Sequence, residues 1–417
     1  MKSRKWMALL TTVVVVWASS SACGLIEQNR DEKGSTGITT EAATEKATKS
    51  VTETEIGEMA KAEEKETAFD EYSFYQTKSG LSVTVSKNEN EALPTVVVLA
   101  TGGTIAGTGD AGKATNYQAG QLDVGSLVNS AAGITEIANV RGVQVCNVGS
   151  DDITDQHWLQ IVNTINEMAQ DETIDGFVIT HGTDTLDETA YFLNLTVKTE
   201  KPVVLTGAMR PSTATSADGP MNLYQSIALA ANEDAAGRGT MVVFSDGIYG
   251  GRDVQKISTF QTDAFNSKDF GGLGYMVDGA PYFYNKSVKC HTTETEFDVS
   301  NLTELPKVAV AYFTIDADPG ILDYYVQSGA KGIIIAGAGA GSYSEAWNNK
   351  VNELSSTGIP VIRCSRIGSG IIPQDDYFLG YMARGNDLAP QKASVLLRLI
   401  LTVTSDIEQV QVMFDKY

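Results

Sequence analysis

Two short loops in this sequence carry hydroxyls and glycines in an order that suits nucleophilic chemistry. The first, Ala100-Thr101-Gly102-Gly103-Thr104-Ile105-Ala106-Gly107, follows a β-branched run. Its glycines let the backbone approach a ligand closely and expose amide hydrogens, and Thr104 then supplies a hydroxyl on the turn. Taken alone, the loop reads equally well as a glycine turn with a capping threonine. The second, His181-Gly182-Thr183-Asp184-Thr185-Leu186-Asp187-Glu188, follows another apolar run. Thr185 and Glu188 stand in the S/T-x-x-E order of a capping box, which predicts a helix starting there with Thr183 and Asp184 just ahead of it. Exposed amides and the positive end of a helix dipole favour a developing oxyanion at that point. Asp184 alone would read as a cap; two such loops on one sheet edge point to a site.

The elements that must hold these loops are legible as runs. Thr95–Ala100, Gly176–Thr180, Pro202–Thr206 and Thr240–Phe244 are short, apolar and β-branched, the pattern of buried parallel strands. Amphipathic stretches, Trp158–Met168 and Ala190–Val197, separate them. A second set follows at Lys307–Ala311, Gly332–Ala336 and Pro360–Arg363, closed by a helix from about Pro390 to Thr402. The expected fold class is therefore α/β: two open parallel-sheet domains, a larger N-terminal one (93–285) and a smaller C-terminal one (306–417), joined by a polar linker (286–305). In such sheets ligands bind at the carboxyl ends of the strands, where both loops stand. Residues 70–92 contain Tyr, Phe and Val and could form a short hairpin or strand with no assigned place.

With the two loops side by side, the chain resembles the bacterial-type L-asparaginase family, of the type II, extracytoplasmic kind. ATGGTIAG and VITHGTDTLDETA stand as that family's two signature segments. Further agreement comes from Asn116-Tyr117, Asn147–Ser150, Gly207–Pro211 with Ser216–Pro220, Gly251–Val254 with Lys256, and Pro390–Ala393. The resemblance runs from about Leu93 to Tyr417. It implies that Thr104 attacks the side-chain amide carbon of L-asparagine to form an acyl-enzyme, with Tyr117 beside it. It implies that Thr183, Asp184 and Lys256 form a second group, that Ser150 grips the substrate α-carboxylate, and that Asp184 holds its α-ammonium. Backbone amides of Gly103 and Thr183 would form the oxyanion hole. It further implies a homotetramer built from dimers, and no cofactor.

A threonine hydroxyl is a poor nucleophile unless its proton is removed as it attacks. No histidine is placed to do this, so a lysine-tuned hydroxyl relay through Lys256 and Thr183, or Tyr117 itself, is the base. Three positions depart from the family pattern. Asp151 follows Ser150 where many relatives carry Gln or Glu; it can meet the substrate ammonium but repels a carboxylate. That predicts a bias toward asparagine over glutamine. Ala340 removes a polar contact, and the segment Ile371–Asp376 is short. Family enzymes complete each site with an acid from the neighbouring subunit, for which Asp375 and Asp376 are the candidates here.

Other readings fit less well. Gly107–Lys113 spells G-x-x-x-x-G-K, but Ala114 stands where a P-loop needs a hydroxyl, and the glycines begin seven residues after the strand. Gly337-x-Gly339 lacks the third glycine and the acidic residue of a dinucleotide site. A broad glutaminase-asparaginase, and an amino-acid-binding lipoprotein that kept the fold without the chemistry, stand as alternatives. The chain carries a formal net charge of −21 over 417 residues, which argues against nucleic acid as a partner. Its three histidines and four cysteines form no metal-spaced cluster, so no metal site is expected.

At the N-terminus, Lys2, Arg4 and Lys5 precede an apolar stretch too short to span a bilayer, then Ser20-Ser21-Ala22-Cys23. This resembles a signal peptide (1–22) ending in a lipobox, with Cys23 as the acylated residue of a lipoprotein anchored outside the cytoplasm. The alternative is a plain signal peptide in which Cys23 is incidental. Residues 23–69 are rich in Glu, Thr, Ala and Lys and cannot bury enough apolar area to offset their ordering entropy, so a disordered spacer is expected. The remaining Cys146, Cys290 and Cys364 are expected as buried thiols.

Overall fold

The computed structural model describes residues 72–378 and 382–417, and both sheets below belong to one compact unit, Glu64–Tyr417. The expected signal peptide, Cys23 and the expected spacer lie outside the described residues. The described chain opens with a hairpin, β1 (Tyr72–Gln76) and β2 (Ser82–Ser86), and enters β3 (Thr95–Gly102), whose eight residues are all buried. A small hairpin, β4 (Thr108–Gly109) with β5 (Tyr117–Gln118), and two short helices, α1 (Val124–Asn129) and α2 (Ile134–Ile137), lead to β6 (Asn139–Val148). Helices and strands then alternate: α3 (Asp155–Met168), β7 (Gly176–Thr180), α4 (Leu186–Thr196), β8 (Val203–Thr206), α5 (Gly219–Ala230) and β9 (Thr240–Phe244). Next come β10 (Gly247–Gly250), a second small hairpin of β11 (Gln255–Lys256) with β12 (Phe265–Asn266), and β13 (Gly274–Val277) with β14 (Ala280–Phe283).

Ten of these strands form one sheet in the order β1-β2-β6-β3-β7-β8-β9-β10-β13-β14. The middle five, β6 to β9, are parallel. Both margins are antiparallel, so the parallel arrangement expected of this domain holds for its five central strands and antiparallel strands extend it on either side. The reason is visible in the residues. β3, β7, β8 and β9 are buried on both faces, whereas β6, where the antiparallel margin begins, is only partly buried, β13 alternates buried and exposed and β1 is exposed throughout, a pattern that antiparallel strands tolerate. The stretch left unplaced by the sequence is thus the hairpin that covers the β6 edge, held by Arg141, which spans both carboxylate oxygens of Glu89.

Alternation along β3 sends Val97 and Leu99 into one core, with Trp158, Ile161 and Phe192 of α3 and α4. Val96, Val98 and Ala100 enter the other, with Leu127, Leu223 and Ile227 of α1 and α5. Full burial of each such side chain contributes about 1.5–3 kcal/mol, so this central strand is firmly held. The chain leaves β3 for β6 on one side and later returns to β7 on the other, so β3 marks the point where strand order reverses. Ligand crevices open there in α/β sheets.

The second sheet is parallel throughout: β15 (Val308–Tyr312), β16 (Gly332–Gly337), β17 (Val361–Ser365) and β18 (Met382–Arg384). α6 (Gly320–Gln327) and α7 (Glu345–Ser356) cover one face, and α8 (Pro390–Ile400) with α9 (Ile407–Lys416) the other. α8 packs on α4, and Leu396, Leu397 and Phe414 join the same core as Val97 and Leu99. The two sheets therefore share apolar interior. The polar stretch between them is strapped down as well: Phe297 is fully buried, and Lys198 Nζ donates to the carbonyls of Thr292 and Thr295. Of the three cysteines expected to be buried, only Cys364 is; Cys146 and Cys290 are half-buried, and all three are free.

Candidate active site

Three adjacent strands, β6, β3 and β7, deliver three loops to one edge. Thr104 opens a 3-10 turn (Thr104–Ala106) after β3, Ser150 opens another (Ser150–Asp152) after β6, and His181–Thr185 follows β7. Gly103 adopts φ 76°, in the left-handed region, and a Cβ there would overlap the Gly182 backbone. The loops of Thr104 and Thr183 thus meet backbone to backbone. Thr101 Oγ1 reinforces the join by donating to the Thr180 carbonyl at 2.9 Å.

The hydroxyls are paired. Thr104 Oγ1 lies 2.7 Å from Tyr117 Oη. Tyr117 comes from the β4–β5 hairpin, which folds back over the turn because Gly107 leaves room for its ring and Gly109 for its backbone. Lys256 Nζ donates to Thr183 Oγ1 at 2.8 Å and to Asp184 Oδ1 at 2.6 Å. Thr104 and Thr183 are 7% and 5% exposed, whereas the Asp184 side chain is 71% exposed, so two buried hydroxyls sit beside one carboxylate open to solvent. A cleft of about 480 Å³ adjoins Lys256 and Asp184 and is lined also by Asp187, Glu188, Ser258 and Gln391. Burial, with the neighbouring Asp187, pushes the Glu188 carboxyl up to about 7.

Ser150 is buried, and its Oγ accepts the Asp184 amide hydrogen at 3.1 Å. Asp151, beside it, is exposed. Thr185 is the N-cap residue of α4, but no side-chain capping bond forms there. Its hydroxyl donates instead to the Ser150 carbonyl at 2.8 Å, which ties the β6 and β7 loops together and corrects the capping-box reading. A second correction concerns Gly103 as an oxyanion donor. Its amide hydrogen is bonded to the Val148 carbonyl at 2.9 Å, because β3 stays in register with β6 to this point. The amides of Thr104 and Thr183 have no protein partner among the described residues and are the donors left.

His181 is fully buried directly behind the loop. Trp158 Nε1 donates to Thr189 Oγ1 at 2.8 Å, and Thr189 Oγ1 lies 3.0 Å from His181 Nε2. His181 Nδ1 lies 2.7 Å from the Gly182 carbonyl. This chain closes only with a neutral imidazole carrying its hydrogen on Nδ1, and burial holds the His181 pKa down to about 4. Sequence reasoning set histidine aside as a base, yet did not find this support; a histidine closing an apolar strand was the available signal. His157 caps α3 through Thr154, and His291 bonds Thr292. The nucleotide-like segments are otherwise employed: Gly107–Lys113 runs into an antiparallel hairpin, and Ala338 pairs with Ser342 in a tight turn. Asp375 lies at a separate pocket with Arg363 and Phe378, away from the Thr104 group of its own chain.

Comparison with known proteins agrees with this arrangement. The family profile "Asparaginase, N-terminal" matches residues 95–289, and "Glutaminase/Asparaginase C-terminal domain" matches 307–414. The chain is 46% identical over 330 residues to the Escherichia coli protein named L-asparaginase 2, covering 78% of this chain and 94% of that one. It is 42% identical over 333 residues to the Pseudomonas fluorescens glutaminase-asparaginase, covering 78% and 91%. The crystal structure of a probable cytoplasmic L-asparaginase from Campylobacter jejuni superimposes with a TM-score of 0.76 at 45% identity, over 78% of this chain and 100% of that one. Matched along both sheets, and built around the paired hydroxyls that its sequence announces, this chain belongs to the asparaginase family.

Proposed function

We propose that the protein hydrolyses L-asparagine to L-aspartate and ammonia through an ester on Thr104. The observation that carries this reading is the two threonine hydroxyls, Thr104 paired with the Tyr117 phenol and Thr183 with the Lys256 ammonium, on two loops in backbone contact. Tyr117 is the group touching Thr104 and relays its proton: Oη takes the Thr104 hydrogen as Oγ1 adds to the amide carbon, and the phenol's own hydrogen passes on toward the amide nitrogen. The amide nitrogen gains a proton and leaves as ammonia, and water then cleaves the ester to aspartate. The Thr104 and Thr183 amides face the carbonyl oxygen as it gains charge; each such donor is worth roughly 3 kcal/mol. Lys256 donates to Thr183 Oγ1, which frees the Thr183 hydrogen to point into the site. Ser150 meets the substrate carboxylate and Asp184 its ammonium.

The reading extends to the whole chain. Cys23 carries a lipid anchor, the enzyme works outside the cytoplasm, and four copies assemble with sites at dimer interfaces, where Asp375 or Asp376 of a neighbour completes each site. No cofactor takes part. Breadth toward glutamine is the second reading, favoured by the glutaminase-asparaginase relative; Asp151 weighs against it.

Ammonia release from L-asparagine by the purified protein and by its Thr104→Ala variant tests the core of this. Turnover by the parent, with a loss of several orders of magnitude in a folded variant, is expected. Binding of asparagine without ammonia release by the parent would leave a binding protein in its place.

A further inference from the structure

The turn that carries Lys256 is gripped from the second half of the chain. Lys392, on the first turn of α8, is 1% exposed, and its Nζ donates to the carbonyls of Gly251 (2.9 Å) and Arg252 (2.7 Å). Those residues begin the tight turn Gly250–Val254 that leads directly into β11 and Lys256. Arg252 is gripped in turn: Asp387 accepts from both its terminal nitrogens (2.6 and 2.9 Å), and Tyr417 O accepts from Nε (2.6 Å). On the other side Gly251 is wedged against the Ala190 and Thr240 carbonyls, where a Cβ would not fit. Burying a lysine is costly, and removing one partner of a buried charge network usually costs more than the network contributes. Two carbonyls of one turn are the acceptors this ammonium has, with the Tyr191 ring 5.7 Å away and Asp187, Glu188 and Asp253 around it.

We propose that Lys392 is a positioning residue for the reaction, fixing the Gly251–Arg252 turn so that Lys256 Nζ reaches Thr183 Oγ1 and Asp184. The proposal rests on the role given to Lys256 above. Hydrogen bonds at 2.6 and 2.8 Å leave Lys256 little latitude, and a displacement of about 1 Å at a reacting group can cost a hundredfold in rate. Lys392 touches no substrate; its effect passes wholly through Lys256.

A double-mutant cycle on the full protein separates this from a general stabilising role. Lys256→Met alone should lower kcat for L-asparagine at least a hundredfold. Lys392→Met should lower kcat about 10- to 100-fold with KM changed less than about threefold. The double variant should be no slower than Lys256→Met. Ethylammonium added to a Lys392→Ala variant should restore part of the lost rate. Independent, multiplying losses, or a folded Lys392→Met variant with parental kcat, would overturn the proposal while leaving Lys256 in place. A parental rate in Lys256→Met would instead remove the role of Lys256, and with it this proposal. If Lys392→Met does not fold, Asp387→Asn loosens the same turn through Arg252, and the same non-additivity with Lys256→Met is expected.

Discussion

Thr104 and Tyr117 lie 2.7 Å apart, and their hydrogen bond is the most direct statement the molecule makes about chemistry. Removing the phenol oxygen while keeping the ring should separate proton transfer from packing. Tyr117→Phe is expected to lower kcat about 10²- to 10⁴-fold, the usual range for loss of a general base, with little change in thermal stability. A loss under threefold in steady-state ammonia release would assign the proton to Lys256 and Thr183 instead. Asp151 offers a second test at this scale. If its carboxylate sets the preference for asparagine, Asp151→Gln should raise kcat/KM for glutamine about tenfold relative to asparagine; an unchanged ratio in parallel assays would count against it. Thr104, Thr183 and Asp184 were legible in the sequence because hydroxyls and a carboxylate stood beside glycines at strand ends; Ser150 and Lys256 entered only through the family resemblance. What the residues could not show was which hydrogen on which amide is already spent. The Gly103 amide looked free, and only the register of β3 on β6 reveals that it is not.

The loop after β7 is held by a relay that tolerates one protonation state. His181 has an ordinary pKa near 6.5 and a folded one of about 4, so the unfolded chain binds the proton more readily across that interval. Its contribution is fully present above pH 6.5 and is lost as pH falls toward 4, a change on the order of 3 kcal/mol. Urea unfolding between pH 7 and 4.5 should show that decline, and a His181→Gln variant, which cannot titrate, should show a shallower one. Glu188 on α4 runs the other way. Burial raises its carboxyl from 4.5 to about 7, so its contribution is present below pH 4.5 and lost as pH rises through 7. Glu188→Gln should therefore gain stability over the parent at pH 8, by about 2 kcal/mol, and gain little at pH 5. Equal melting-temperature differences at both pH values would show that Glu188 ionises freely in the fold. Most elements were legible by type: β3, β7, β8, β9, β15, β16 and β17 stand out as short apolar, β-branched runs, whereas β6, which is only partly buried, and the three-residue β18 are parallel too and did not stand out. Their local bonds were not: Thr185 carried the spelling of a capping box, yet its hydroxyl found a closer acceptor in the Ser150 carbonyl from another strand.

On the scale of the whole molecule, two sheets that the sequence separates cleanly turn out to share an interior. Phe297, in the polar stretch between them, packs at 5.0 Å on the Tyr417 ring, and both are fully buried. Phe297→Ala should cost about 3–5 kcal/mol in unfolding free energy, and a loss below 1 kcal/mol would mean that the strap is incidental. Hydropathy marks the sheets but gives no sign of which face of α8 meets α4, because that contact joins residues some two hundred positions apart.

The shared interior sets the timing of folding as well as its stability. The chain emerges from its N-terminus, in synthesis and in export alike, so the residues of the first sheet and of its hydroxyl loops are available to fold before those of α8 and α9 follow. Between Lys256 and the end of α8 lies a delay on the order of ten seconds at ordinary rates of synthesis. Through that interval the face of α4 destined for α8 stays open, and the turn bearing Lys256 lacks its grip from Lys392. On the roles proposed above, nearly the whole catalytic outfit is gathered early and armed last, by a lysine that never meets the substrate.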